Sequence, residues 1–374
     1  MLEEKVGITV IGAAGLIGKR HVEHILENKQ AKLHSIVDPT PAAQSIAKEA
    51  NVQQYLDLSE LLQHSEGLHA AIVATPTGMH IQQACQLVRG GIHVLVEKPL
   101  CNTVEEAQPL LQACRQPGAG TVLVGFHRRF NPYILHLKSI LDGEQSNLGT
   151  SPVGTIVAVN GLWCTRKPLT YFRQAPWRAE RGKGGGVILT NLSHELDLMR
   201  FLFGEITRVF AEPGSTTRGF DVEETVAITL KFQSGCVGTI ILSDSALTPY
   251  TFESATGENP FLAKHHQPVY TIMGTSGTIN FPNMELWSFT GQSIEGGDWT
   301  LPLTQSKQAA LPFDQEFATD TGPNSPFAKR LQHWLDFIQG KSETLSCTLD
   351  DGLRNMAILE AILSSASSGE AVVV

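Results

Sequence analysis

Short apolar runs alternate with helical patterns through the first 125 residues of this 374-residue chain. Val6–Ile11 is apolar throughout and ends at Gly12, as expected for a strand buried on both faces of a sheet. Parallel strands need helical crossovers between them, so this order predicts a doubly wound parallel sheet. The further strand candidates are Leu33–Val37, Ala70–Ala74, His93–Val96 and Val122–Val124, and the helix candidates lie at 16–28, 42–50, 58–64, 79–89 and 103–115.

The rest of the chain has a different pattern, in which apolar and polar residues alternate. In Glu224–Phe232 every second side chain is apolar, and a Gln-Ser-Gly turn separates this run from Cys236–Leu242. Two such runs joined by a glycine-containing turn are typical of an antiparallel hairpin. Val269–Met273 and Thr278–Phe281 predict a second hairpin, and Val153–Trp163 predicts a further long strand.

These patterns predict two domains of the α/β class. Residues 1–125 form the doubly wound parallel sheet, and residues 126–374 form an α+β domain with a large, mostly antiparallel open sheet. Two helices that close the chain are able to pack back toward the first domain. The helices are expected at about 327–338 and 350–366, and loops at 244–266 and 291–325.

Composition narrows the function classes. The formal net charge is −9 and no long basic run occurs, which argues against a nucleic-acid partner because such a partner needs a basic face. We find neither an export signal nor about 18 consecutive apolar residues, so no membrane association is expected. The six cysteines include no C-x-x-C pair, which indicates reduced thiols of a cytoplasmic protein. No metal site is expected.

A glycine-rich turn, Gly12–Gly18, connects the first strand to the first helix. Glycines there let the backbone approach a pyrophosphate, which rests on the amides of the helix N-terminus, although such a turn can also be purely structural. Asp38 ends the second strand 20 residues later, where a carboxylate accepts hydrogen bonds from ribose hydroxyls and repels a 2′-phosphate. We therefore predict a nucleotide site that favours NAD over NADP. Its contacts in the turn are expected from Gly12, Ala14, Gly15, Leu16 and Ile17.

Two further motifs follow the fourth and fifth strands, at the sheet edge where open α/β proteins hold ligands. They supply Thr75, Pro76 and His80, and then Glu97 and Lys98, as predicted cofactor contacts. An ammonium group at this edge could lower the pKa of a substrate hydroxyl and stabilise the developing alkoxide. The alternative is that Lys98 is a surface lysine before a turn proline.

A helix is predicted from the glycine-rich segment that begins at residue 184. Thr190, His194 and Asp197 recur at i, i+4 and i+7, so on a regular helix they share one face beside an apolar stripe. His194 could take the hydroxyl proton, and Asp197 could orient its ring. The alternative is a structural histidine within a core network.

These motifs together resemble the Gfo/Idh/MocA family, which includes glucose–fructose oxidoreductase, inositol dehydrogenase and a rhizopine-catabolism protein. The resemblance extends over nearly the whole chain. It implies a Rossmann domain followed by an α+β domain whose open sheet face forms dimers or tetramers, and it implies that Lys98 and His194 are the catalytic pair. Many relatives carry a carboxylate at the position of Thr190, and the neighbouring Asn191 is offset from that face on a regular helix.

The stretch 163–183 is rich in cations and aromatic side chains. Aromatic rings pack on sugar faces and arginines clamp carboxylates, so we expect an acidic substrate, with a solvated loop of ordinary salt bridges as the alternative. The predicted substrate-binding residues are Arg129, Trp163, Tyr171, Arg178, Thr190, Asn191 and Asp197.

The sequence therefore predicts an NAD(P)-dependent dehydrogenase that oxidises a secondary hydroxyl of a sugar, cyclic polyol or sugar acid. Lys98 and His194 are expected to handle the hydroxyl proton, and the protein is expected to be a homodimer or homotetramer. Two alternatives stay open. One is a hydrolase or lyase that retains NAD without net redox change, and the other is a regulatory protein that binds a nucleotide and a sugar.

Overall fold

The computed structural model describes residues 5–144, 149–289, 300–307, 322 and 324–374. The chain forms two compact units: Met1–Phe130 with Thr321–Ala357, and Asn131–Asp320 with Ile358–Val374. The first unit thus takes in the first closing helix as well as the N-terminal segment. The division into domains at 1–125 and 126–374 stays a prediction about how the chain folds.

The N-terminal part of the first unit alternates strands and helices. Its elements are β1 (Val6–Ile11), α1 (Leu16–Glu27), β2 (Ala31–Val37), α2 (Pro41–Ala50), β3 (Gln53–Tyr55), α3 (Leu58–Leu62), β4 (Ala70–Val73), α4 (Thr77–Arg89), β5 (His93–Val96), α5 (Gln108–Cys114) and β6 (Val122–Val124). Within the described residues, the six strands pair in parallel in the order β3-β2-β1-β4-β5-β6. The doubly wound sheet is therefore confirmed, and the fully buried β1 lies near its centre, as a strand apolar on both faces must.

The second unit contains a larger sheet. Its elements before the closing helices are α6 (Pro132–Leu141), β7 (Ile156–Cys164), α7 (Leu169–Gln174), α8 (Ser193–Phe203), β8 (Ile206–Pro213), β9 (Thr225–Phe232), β10 (Val237–Ser243), α9 (Phe252–Thr256), β11 (Tyr270–Gly274), β12 (Gly277–Phe281), β13 (Glu285–Phe289) and β14 (Leu303–Lys307). With the C-terminal strand β15 (Val372–Val373), nine strands pair among the described residues in the order β14-β13-β12-β11-β7-β10-β9-β8-β15. Only β7 and β10 in this series are parallel. The predicted, mostly antiparallel sheet and both predicted hairpins are confirmed.

The chain closes with α10 (Pro326–Ile338), α11 (Leu349–Ser368) and the short β15 (Val372–Val373), which pairs with β8. Apolar side chains on one face of α10 are buried, as the sequence predicts. The segment predicted as a loop at 244–266 contains the short helix α9. Within the predicted loop at 291–325, residues 303–307 form β14, and most of the rest lies outside the described residues.

The prediction of a regular helix through Thr190 and His194 is wrong. A π-helical turn, Ile188–Leu192, precedes α8 and places an extra residue in the helical repeat. Thr190 lies in the π turn while His194 lies in α8, and their position on one face stays a prediction. His194 and Asp197 both lie in α8 and keep their i, i+3 relation.

Among the described residues, no helix combines the length and the apolar character that a bilayer crossing requires. The same residues contain no group of three or more His, Cys, Asp or Glu side chains able to hold a metal ion. Five of the six cysteines are buried and Cys114 is partly exposed. The cytoplasmic location stays a prediction.

Candidate active site

The turn between β1 and α1 is shaped by close backbone approaches. Gly12 adopts φ of 83°, and a Cβ there would lie 2.7 Å from the Ala74 carbonyl oxygen. A Cβ at Gly18 would collide with the Gly12 carbonyl oxygen. Helix α1 begins at Leu16 after the N-cap Gly15, which supplies no side-chain cap, and both residues are exposed. The first amides of α1 are therefore suited to a phosphate group.

Asp38 lies directly after β2 and is anchored by three hydrogen bonds. Its Oδ1 accepts from the Thr40 backbone N–H at 2.9 Å and from the Thr40 hydroxyl at 2.6 Å, and its Oδ2 accepts from the Ala14 N–H at 2.9 Å. Burial alone would raise the pKa of Asp38, but these hydrogen bonds outweigh it and lower the pKa. The carboxylate thus stays ionised, and the Ala14 amide is committed to Asp38.

Glu97 lies directly after β5 in a buried charge cluster. Its Oε1 accepts from Arg330 Nη2 on α10 at 2.9 Å and lies 2.9 Å from His21 Nε2 on α1. Its Oε2 accepts from the Lys98 backbone N–H at 3.2 Å. Burial would raise the pKa of Glu97, but the charge of Arg330 and the hydrogen bond with His21 outweigh it and lower that pKa. The ionised side chain of Glu97 therefore fixes the backbone of Lys98, whose own side chain is half-buried.

His80 connects the two motifs at this sheet edge. Its Nε2 lies 2.8 Å from the Thr75 carbonyl oxygen and its Nδ1 lies 3.0 Å from the Pro99 carbonyl oxygen. A neutral imidazole can donate to only one of these oxygens. Burial lowers the pKa of His80, against the opposing effect of the two carbonyls. The Thr75 hydroxyl donates to Gln83 at 2.6 Å. Thr75 and His80, both predicted cofactor contacts, therefore also hold the backbone of this sheet edge in place through hydrogen bonds.

Arg129 follows β6 in the first unit and is buried. Its Nη2 donates to Asp351 Oδ1 at 3.0 Å, and Asp351 Oδ2 in turn accepts from the Thr348 N–H at 2.9 Å. The guanidinium is thus tied to the start of α11. Its predicted role in substrate binding stays a prediction.

In the second unit, His194 and Asp197 lie on α8 with 7% and 1% of their surface exposed. Thr190 and Asn191 precede them in the π turn and are half-buried. The Thr190 hydroxyl lies 2.7 Å from the Gly186 carbonyl oxygen and 2.8 Å from Asn191 Oδ1. Because the hydroxyl has one proton, it donates to one of the two at a time.

The cation-rich stretch of the second unit forms a cluster around Tyr171. Lys167 Nζ donates to Asn191 Oδ1 at 2.5 Å and to the Tyr171 hydroxyl oxygen at 3.4 Å. The Arg178 guanidinium lies 3.8 Å from the Tyr171 ring centroid and donates to the Tyr171 carbonyl oxygen at 2.8 Å. Trp163 is buried, and its indole N–H donates to Glu253 at 3.0 Å. The structure thus places Lys167, Tyr171, Arg178 and Asn191 in one cluster.

Sequence reasoning missed three residues of these clusters. His21 and Arg330 are separated from Glu97 by 76 and 233 residues, and no local pattern connects them. Lys167 was part of the cationic stretch, but nothing singled it out among its neighbours. Its contact with Asn191 spans 24 residues and could only be found from the fold.

Comparisons with known proteins place the chain in a family. Residues 6–126 match the model of an oxidoreductase family with an NAD-binding Rossmann fold, and residues 146–374 match the C-terminal alpha/beta domain of that family. The chain therefore belongs to the Gfo/Idh/MocA family of oxidoreductases, and the predictions of that family and of an oxidoreductase enzyme are confirmed.

Named relatives and a solved structure agree with this assignment. The chain is 26% identical to the scyllo-inositol 2-dehydrogenase (NAD(+)) of Bacillus subtilis, over 80% of each chain. It is 22% identical to the inositol 2-dehydrogenase of Rhizobium meliloti, over 94% of each chain. An oxidoreductase from Agrobacterium radiobacter, solved with NAD+, L-tartaric acid and magnesium, has the same fold with a TM-score of 0.76. It is 19% identical, and the match covers 99% of this chain and 98% of that one.

Proposed function

We propose that this oxidoreductase uses NAD to oxidise a secondary hydroxyl of a sugar, cyclic polyol or sugar acid. The observation that carries the proposal is the uncapped, exposed N-terminus of α1 beside the glycine turn, with the ionised Asp38 at the end of β2. The substrate class is supported by the relatives named for inositol oxidation and by the Agrobacterium protein that bound a hydroxy acid together with NAD+.

The first unit has the residues needed to hold the cofactor. Asp38 would face the ribose hydroxyls, and its negative charge disfavours the 2′-phosphate of NADP. Because the Ala14 amide is committed to Asp38, phosphate contacts would fall to the amides at the start of α1. The remaining contacts would come from Gly12, Gly15, Leu16, Ile17, Thr75 and Pro76.

Bound NAD would supply the acceptor for the hydride that leaves the substrate carbon. The ammonium group of Lys98 would donate to the substrate oxygen and stabilise the negative charge that develops on it. His194 would accept the hydroxyl proton as a general base. Glu97 contributes indirectly, because its carboxylate holds the backbone amide of Lys98.

We also propose that the protein works in the cytoplasm as a homodimer or homotetramer assembled through the open face of the larger sheet. On that face Val237 and Ile241 of β10 are exposed, and Ile241 pairs in register with the half-buried Leu162 of β7. Adjacent exposed apolar side chains favour a protein contact.

A lysine substitution tests the proposed reaction. We expect Lys98→Ala to lower kcat for NADH formation by about 10²–10⁴-fold, the usual contribution of a proton-handling side chain, and to leave NAD affinity nearly unchanged. NADH absorbance with a panel of sugars, polyols and sugar acids measures the first effect, and calorimetric titration with NAD measures the second. Lys48→Ala, an exposed change on α2, is the control. Normal turnover in Lys98→Ala would contradict the assignment.

A further inference from the structure

The Tyr171 cluster of the second unit presents hydrogen-bond donors to a partly exposed surface. Lys167, Tyr171, Arg178 and Asn191 are each half-buried. A lysine ammonium has three donors and no acceptor, and an arginine guanidinium has only donors. Two of the four side chains therefore carry a fixed positive charge and can only donate.

Lys167 also fixes the orientation of the other two side chains. Because an ammonium can only donate, its 2.5 Å contact requires the oxygen of the Asn191 amide, and the Asn191 Nδ2 is left as a donor. No acceptor for that Nδ2 occurs within the described part of the chain. The Tyr171 hydroxyl oxygen accepts from Lys167, so its proton can be donated to another group. Burial raises the pKa of Tyr171, which keeps that proton in place.

The charges of the cluster favour an anion. The Lys167 ammonium lies 4.5 Å and the Arg178 guanidinium 3.8 Å from the centroid of the Tyr171 ring, so two positive charges share one ring. Like charges on one ring repel each other, and a bound anion would relieve that repulsion. The neighbouring carboxylate of Asp244 is itself paired with Arg218 Nη1 at 2.6 Å.

We propose that Lys167 is a specificity-determining residue that binds a carboxylate group of the substrate, with Tyr171 and Asn191 donating to the same group. A carboxylate offers acceptors only and is complementary to this set of donors. The substrate is then an acidic polyhydroxy compound, such as a uronic, aldonic or hydroxydicarboxylic acid. The inference rests on the proposed dehydrogenase function for the reaction, but the binding of the acid does not depend on turnover.

Matched pairs of acids and neutral analogues test the proposal through kinetics. The pairs are D-glucuronate with D-glucose, D-gluconate with D-glucitol, and L-tartrate with L-threitol. For the pair that is turned over, we expect the wild type to prefer the acid. We expect Lys167→Met to raise KM for the acid by about 10- to 100-fold, the range for a hydrogen bond to a charged group, and to leave KM for the neutral analogue unchanged. Lys167→Arg should restore part of the preference because it keeps the charge.

Lys138→Met is the matched control. Lys138 is also a lysine of the second unit with a cation–π contact, 5.6 Å from the Phe201 ring centroid, and it is paired with Asp142 at 2.7 Å. We expect this variant to behave as the wild type does with every substrate. An equal loss of activity toward acids and neutral analogues in Lys167→Met would overturn the proposal, as would a wild type that prefers the neutral analogue.

Titration calorimetry with the same acids and NAD-loaded protein separates this inference from the proposed reaction. Tighter binding of an acid than of its analogue, lost in Lys167→Met and kept in Lys138→Met, supports the carboxylate site even if no NADH forms, and only the proposed reaction then fails. Wild-type protein that binds none of the three acids, or a Lys167→Met variant that binds them as the wild type does, refutes the site.

Discussion

Charged groups are placed in opposite ways in the two units. In the first unit, Glu97, His21 and Arg330 form a cluster that is almost completely buried. Arg330 Nη2 and His21 Nε2 both contact Glu97 Oε1, while Arg330 Nε and Nη1 have no hydrogen-bond partner among the described residues. In the second unit, Lys167 and Arg178 lie half-exposed on one aromatic ring, and the donors beside them form the proposed carboxylate site. Charged residues of similar type therefore stabilise the fold in the first unit, and in the second unit we propose that they bind a ligand.

This difference indicates that the type of residue does not decide whether a charged group stabilises the fold or binds a ligand. What decides it is how deeply the group is buried and whether its donors have acceptors within the protein. The carboxylate of Glu97 has a buried cation and a backbone amide as partners, so removing one partner leaves a charge in a medium of low dielectric constant. The Tyr171 cluster is partly in contact with solvent, which weakens every interaction within it. The first cluster should govern stability, and the second should govern which substrate binds.

The largest effect is expected at Arg330. Arg330→Met should lower the free energy of unfolding by about 3–5 kcal/mol, because the buried Glu97 carboxylate loses its cation. Urea denaturation at neutral pH measures the change. In the double variant Glu97→Gln/Arg330→Met we expect part of the loss to be recovered, since no buried charge then lacks a partner.

An exposed arginine on α11 provides the control for this comparison. Arg354 pairs with Asp350 at 2.8 Å, and both side chains are more than half exposed. Arg354→Met should cost less than about 1 kcal/mol, the usual limit for a surface pair. Equal losses in Arg330→Met and Arg354→Met would remove the distinction between the two kinds of charge placement.

A second, smaller effect is expected from pH. The pKa of Glu97 is lowered in the folded state, so its stabilising contribution is present above about pH 4.3, the ordinary glutamate pKa, and is lost as the pH falls below it. Burial lowers the pKa of His21, so the unfolded chain binds a proton there below about pH 6.5 that the folded chain does not. Both effects weaken folding in acid. Urea denaturation between pH 7 and pH 3 should show a shallower decline below pH 4.3 in Glu97→Gln than in the wild type, and parallel curves would contradict this.

The smallest effect is expected at Tyr171. Tyr171→Phe keeps the ring beneath Lys167 and Arg178 and removes one half-buried hydroxyl, so the free energy of unfolding should change by no more than about 0.5 kcal/mol. KM for an acidic substrate should rise by about 2- to 10-fold with kcat unchanged. Tyr133→Phe, which removes another hydroxyl that accepts from a lysine, Lys264 at 3.0 Å, should leave KM unchanged. A large loss of stability in Tyr171→Phe would show that this cluster is also structural.

The parts of the fold that could be predicted from the sequence are those in which apolar residues recur with a regular local period. The buried strand β1 and the alternating hairpin of β9 and β10 follow directly from the spacing of apolar residues. The edge strand β3 was missed because its three residues are too few to show a period. The parallel pairing of β7 with β10 was missed because the two strands are far apart in the chain, and local patterns do not report which strands become neighbours.

The candidate site shows the same limit. Gly12 and Asp38 could be predicted as cofactor contacts because close backbone approach and ribose recognition require particular residues at fixed spacing. The contacts of Glu97 with His21 and Arg330 depend on side chains that only the folded chain brings together. The prediction of a regular helix through Thr190 and His194 failed because the spacing of apolar residues does not reveal the π turn at Ile188–Leu192.

That π turn has a consequence for alignment with relatives. A helix with one extra residue shifts the angular position of every side chain before Ser193 relative to those after it. In a homologue whose helix is regular, the residue four positions before the histidine would therefore have a different angular position from Thr190. The residue of this chain that takes the place of the carboxylate implied by the family resemblance then depends on the path of the backbone and not on the number of residues before the histidine.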